Sequence, residues 1–167
     1  MRDMNDAPDL YEADFLLWSE HQADALARLR TRVRDNDIDW DHLIEEVRDL
    51  GGSELARVTG NLTVAAAHLL KLARWPDHPA VDHWRGEITS FLVNAQVAFS
   101  PSMRRRIDAA VVGRRALASV RQLRLDGQPP GPLPTTFVPD IDAMLADGFD
   151  IETAVAAIRA QAAAEGR

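Results

Sequence analysis

Trp40, Val47, Glu54, Asn61, His68 and Trp75 stand seven residues apart in the sequence. On a helix that spacing forms one near-straight stripe. The stripe borders an apolar face made by Ile44, Val58, Leu62, Ala65, Leu69 and Leu72, and three of its six members are polar. Glutamate and histidine are side chains that exchange protons or hold polar ligands near neutral pH. Seven residues span about 10.5 Å of helix, too far for Glu54 and His68 to share a metal ion or bond one another. The stripe therefore reads in two ways. It is a polar seam open to a ligand, or a row of border groups each satisfied by another helix or by water. Arginines further along offer partners: Arg114, Arg121 and Arg124 continue a three–four spacing with Met103, Ile107, Ala110 and Leu117. A guanidinium drawn inward needs a carboxylate, and Glu45, Glu46 and Glu54 are the expected acceptors. Glu54, Asn61, His68, Arg114 and Arg121 are the candidate seam.

Other chemistries find less support. Asp77-His78 and Asp82-His83 form a compact cluster in which His78 and Asp82 are four residues apart. Such a pair can share a metal, but a helix-start capping role fits the position better. His21 and His42 read as surface residues. The chain has neither a His-Glu-x-x-His motif nor the paired Glu-x-x-His motifs of a di-iron bundle. It also lacks a glycine-rich phosphate loop and a Gly-x-Ser-x-Gly elbow. With no cysteine, thiol catalysis, disulfides and thiolate-held metals are excluded. No catalytic constellation, cofactor or metal site is expected.

The elements that must position these residues read as helices throughout. Tyr11, Phe15, Trp18, Ala25, Leu29 and Val33 predict a first helix over about 10–33, opened by Asp9 and Glu12 as a capping box. Asp39 is the natural N-cap of a long second helix reaching Trp75, about 54 Å if continuous. Gly51-Gly52 interrupts it, predicting a kink or a close approach by another helix, with a break into two helices as the alternative. Pro76 and Pro79 end it. A third helix follows over about 79–99, with Pro79 in its first turn and Trp84, Ile88, Phe91, Leu92 and Ala95 inward. Ser100-Pro101 opens a fourth that reaches about Leu125. Residues 127–139 contain five of the nine prolines and read as an extended strap; Pro129-Pro130-Gly131-Pro132 also matches a short polyproline ligand pattern. Short helices near 140–146 and 151–164 complete the chain. The expected fold is all-α: a single-domain antiparallel helical bundle with a long second helix, a Pro-rich strap and short C-terminal helices.

Composition agrees with one soluble domain: 167 residues, 46% hydrophobic and 27% charged. The net charge of −7 disfavours nucleic acid and anionic membranes as partners. The charge is uneven, however. Residues 104–124 hold seven arginines against Asp108 alone, a segment of +6 in a chain whose remainder is −13. Those arginines spread around their helix and have no aromatic residues among them, unlike a nucleic-acid face. One lysine, Lys71, stands against eighteen arginines. The first nine residues have no apolar run of a signal peptide, and no stretch approaches a membrane span, so a cytoplasmic location is expected.

Taken together, Tyr11-Glu12-x-Asp14-Phe15-x-x-Trp18, then Asp39-Trp40-x-x-Leu43-x-Glu45-Glu46-Val47-x-x-Leu50-Gly51-x-Ser53-Glu54, and His68-Leu69-Leu70-Lys71-Leu72 before Trp75-Pro76 are distinctive. With Trp84, Ile88 and Ser100-Pro101-Ser102-Met103 they resemble the bacterial family known as domain of unknown function 29. The resemblance covers about residues 10–145, leaving about 150–167 as an extension. It implies a helical bundle and a bacterial source, and no activity. Thr89-Ser90-Phe91 departs from the polar stretch usual in that family. Three functions remain open. The first is a non-enzymatic interaction module binding another protein or a second copy of itself. The second is a small-molecule-binding protein or enzyme using the seam, and the third a nucleic-acid-associated regulator working through Arg104–Arg106.

Overall fold

A computed structural model describes residues 9–33, 35–125 and 130–166. Among them are seven α-helices and one 3-10 helix, with no strand. The fold class is all-α, a helical bundle. Two compact units divide the chain: Met1–Arg57 with Ala98–Ile107, and Val58–Val97 with Asp108–Arg167.

The first unit holds α1 (Leu10–Ala13), α2 (Phe15–Arg30), the 3-10 helix Pro101–Arg105 and the start of α3 (Trp40–Arg74). The single helix expected over 10–33 is broken at Asp14, whose carboxylate caps α2 by accepting from Leu17 N at 3.1 Å. The same side chain, only 8% exposed, accepts from Ser102 N at 2.8 Å and Ser102 Oγ at 2.7 Å. Asp14 thereby ties the 3-10 helix to α2. Its second role explains why periodicity, which sees one stripe from Tyr11 to Val33, misses the break. Tyr11, Phe15 and Trp18 pack ring to ring, with Tyr11 edge-on to Trp18 at 4.8 Å.

Helix α3 runs unbroken through Gly51-Gly52. A Cβ on Gly51 would lie 2.2 Å from Ser19 Oγ and 3.0 Å from Leu16 Cα, whereas one on Gly52 would meet nothing within 4 Å. Close approach by α2 is therefore the reason for the first glycine, and the break into two helices is ruled out. Asp39 caps α3 as expected, accepting from His42 N. Between α2 and α3, Arg30 bonds Asp41 and Arg48 bonds Asp24 at 3.0 Å.

The second unit contains the rest of α3, all of α4 (Val81–Ala98) but its last residue, α5 (Ala109–Arg121), α6 (Ile141–Leu145) and α7 (Ile151–Glu165). Its core is built on Val58, Leu62, Leu69, Ile88, Val112 and Met144, all fully buried. Pro79 precedes α4 rather than lying within it. The helix expected from Ser100 to Leu125 is instead a 3-10 turn followed by α5, because Asp108 caps afresh by accepting from Ala110 N at 2.8 Å. Arg159 of α7 donates to Leu72 O at 2.9 Å, satisfying one of the carbonyls that the end of α3 leaves without an internal partner.

Residues 130–139 form the extended strap, and its expected start over 127–129 lies outside the described residues. The strap is held along its length. Gly131 N donates to Arg74 O at 2.7 Å, Arg121 donates to Pro134 O and Thr135 O, and Gln161 to Thr136 O at 2.9 Å. Further along, Gly113 admits the Phe137 carbonyl so closely that a Cβ would lie 1.7 Å from its oxygen.

Candidate functional site

The seam residues have different surroundings. Glu54 belongs to the first unit and bonds Arg57 one turn on. Asn61 and His68 belong to the second; Asn61 is half-buried and His68 is 7% exposed. Arg114 is exposed on α5. Arg121 is exposed too, and its guanidinium is engaged by the strap carbonyls rather than by a carboxylate of the second helix. Arg124 likewise donates to the carbonyls of Arg121 and Leu123. The acid under Arg121's influence is Glu165 of α7. Its pKa is lowered first by the Thr135 N–H, then by Gln161, with Arg121 adding a favourable charge.

Of the five residues, His68 has the most developed site. Its Nδ1–H donates to Val64 O at 2.9 Å, which fixes the tautomer and leaves Nε2 as an acceptor. Lys71 Nζ, one turn along, donates to that nitrogen at 3.1 Å. Glu87 of α4 brings a carboxylate oxygen to 3.9 Å from the same nitrogen. The imidazole stacks on Phe91 with ring centres 6.1 Å apart. Lys71 Nζ sits 5.9 Å from the centre of the Trp84 ring, and His78 stacks on that ring at 4.9 Å.

Burial is the main force on both titrating groups. It pushes the His68 pKa down; the Val64 carbonyl opposes that shift, Lys71 adds to it and Glu87 opposes it again. Burial also lowers the Lys71 pKa, with Glu87 acting in the opposite sense. The chain's one lysine thus stands where a side chain that can give up its proton differs most from arginine. The Lys71 ammonium, the His68 imidazole and the Glu87 carboxylate form a small polar cluster where α3 meets α4. Sequence spacing found His68 but not Glu87 or Trp84 as its company. The spacing of His68 and Lys71, three apart, was the signal within reach; Glu87 comes from another helix.

His78, expected as a capping residue, does accept from Ala80 N at 3.1 Å just before α4. No helix among the described residues is long and apolar enough to cross a membrane. Among the same residues no three His, Asp or Glu side chains gather as a metal site would require.

Fold and site together define an all-α protein with a buried histidine beside a half-buried lysine on its longest helix. Residues 10–149 match the family model described as Domain of unknown function DUF29. The chain belongs to that family. It is similar, at 29% identity and a TM-score of 0.82, to an α-helical protein of unknown function from Rhodospirillum rubrum ATCC 11170. That likeness covers 91% of this chain and 99% of the other. No curated protein matches the sequence.

Proposed function

We propose that the protein is a non-enzymatic interaction module that works by pairing with a second copy of itself through the α2–α3 hairpin. One observation carries this reading: no described residue from Asp24 to Leu50 is buried. Yet the stretch keeps a helical apolar stripe, with Leu29 44%, Leu43 40% and Leu50 49% exposed. Two helices cover only one side of each other, and two such hairpins make the four helices that enclose a common core. Charge supports a like partner. The end of α2 exposes Arg28 and the turn after it Arg32, while the approach to α3 exposes Asp35, Asp37 and Asp39. A two-fold apposition can set each copy's basic end against the other's acidic turn.

Sedimentation equilibrium over micromolar to millimolar protein tests the proposal. A dimer is expected, lost in a Leu43→Asp/Leu50→Asp variant whose circular dichroism is unchanged. A chain that stays monomeric across that range, or a dimer indifferent to both substitutions, overturns it.

A further inference from the structure

The strap, α6 and α7 enclose a half-open cavity of about 220 Å³ in the second unit, and its lining includes Leu69, Phe137, Met144, Phe149 and Ile158. Two polar side chains, Asp140 and Gln161, share that lining. We propose that this cavity is a binding site for a small molecule with one apolar ring and an amine, or another N–H or O–H donor.

Size sets the first limit. Pockets for larger organic ligands begin at roughly 300 Å³, while benzene fills a cavity of about 150 Å³. A volume of about 220 Å³ suits one ring and a short substituent. It is too narrow for a helix of another protein, whose diameter with side chains is about 10 Å.

Rigidity is the second argument. An apolar cavity normally closes by movement of the nearest unconstrained segment. Here the strap that forms one wall is fixed on both sides. Gly113 receives the Phe137 carbonyl, Arg121 holds Pro134 and Thr135, and Gln161 and Glu165 hold Thr136 and Thr135 from α7. Cavity shape is thus held by backbone contacts of the strap rather than by a ligand.

The polar groups decide the ligand's chemistry. Gln161 directs its amide N–H groups to Thr136 O and Glu165 Oε1, both at 2.9 Å, which leaves its carbonyl oxygen as an acceptor. Asp140 Oδ1 accepts from Ala143 N at 3.0 Å as the cap of α6, leaving Oδ2 as a second acceptor with the carboxylate's charge. Two acceptors and a negative charge select a donor, preferably cationic, and reject a carboxylate. The inference is independent of the hairpin reading, since it needs no second copy.

Titration of isotope-labelled protein by NMR, with 2-phenylethylamine, indole and benzoate as probes, tests it. Saturable shifts confined to residues 137–161 and the neighbourhood of Leu69 are expected with the amine and with indole, and none with benzoate. Asp140→Asn keeps an N-cap acceptor but replaces Oδ2 with a donor, and should weaken the amine at least tenfold with indole affected less. Ala154→Leu, which fills the cavity from α7, should abolish both. No saturable binding by either donor, equal binding of benzoate, or binding that survives Ala154→Leu in a folded protein would overturn the proposal.

Discussion

Asp14 is one side chain with three hydrogen bonds, to Leu17 N, Ser102 N and Ser102 Oγ. Burial alone would raise its pKa; the Ser102 hydroxyl, the two backbone N–H groups and the Arg105 charge together bring it below the usual carboxylate range. Bonds to a charged acceptor are worth about 1.5–3 kcal/mol each where they are not solvated. Asp14→Asn, which keeps the cap but loses the charge, should therefore cost about 2 kcal/mol, read as a lowered urea midpoint. His68 titrates in the opposite sense to the exposed His42, whose pKa Asp39 raises. The folded protein holds His68 neutral to a lower pH than the unfolded chain, which binds a proton near pH 6.5. Acid therefore favours unfolding: stability should decline as pH falls through about 6.5 toward the lower folded pKa. The imidazole resonances of His68 should titrate below those of His42, and His68→Phe should flatten the acid decline in urea midpoint. A His68 that titrates at or above 6.5 would contradict the burial argument.

At the scale of elements, the glycine pair in α3 is two residues with two different roles. Gly51 lies under Leu16 and Ser19, whose hydroxyl is itself bonded to Leu16 O at 2.9 Å and so is not free to swing away. Gly51→Ala should destabilise by about 1–3 kcal/mol through overpacking, despite the better helix former. Gly52→Ala meets no neighbour and should stabilise by up to about 1 kcal/mol. Thermal melts of the two variants should move in opposite directions. Equal shifts would mean that α2 does not press on α3 at this point. The strap shows the same dependence on small contacts. Arg121, an expected partner of glutamates, spends its charge on backbone oxygens that would otherwise lack donors in a proline-rich stretch.

At the scale of the whole molecule, the uneven charge noted in the sequence is used locally. Arg106 meets Glu20 at 2.6 Å, Arg85 meets Glu152 and Asp82 at 3.0 Å, and Arg48 meets Asp24. These are exposed or half-exposed pairs, each worth little to stability. The hairpin's acidic and basic ends matter more for which surface it meets. Because pairing binds the folded form alone, the dimer proposed above should make the melting temperature rise with protein concentration, and the Leu43→Asp/Leu50→Asp variant should not. Membership of a helical family without an assigned activity leaves that association, rather than a known reaction, as the property to measure first.

What the residues determined by themselves was local. Helical periods, the Asp39 cap, the proline-rich strap and the two final helices were legible because each depends on nearby residues, and the family likeness because its motifs are spaced along the chain. Two breaks, at Asp14 and Asp108, were not. Both aspartates sit inside continuous apolar periods, and only the backbone shows that each starts a new helix. The stripe through Glu54, Asn61 and His68 was also legible as a stripe, since a continuous helix must align residues seven apart. Tertiary structure decided what each member meets. Glu54 turns to Arg57, Arg121 to the strap, and His68 gains Glu87 and Phe91 from α4. It also decided that the strap should stand pinned beside a cavity. Such pairings depend on how each helix is rotated against partners distant in sequence, and a period of 3.6 residues carries no information about which partner that will be.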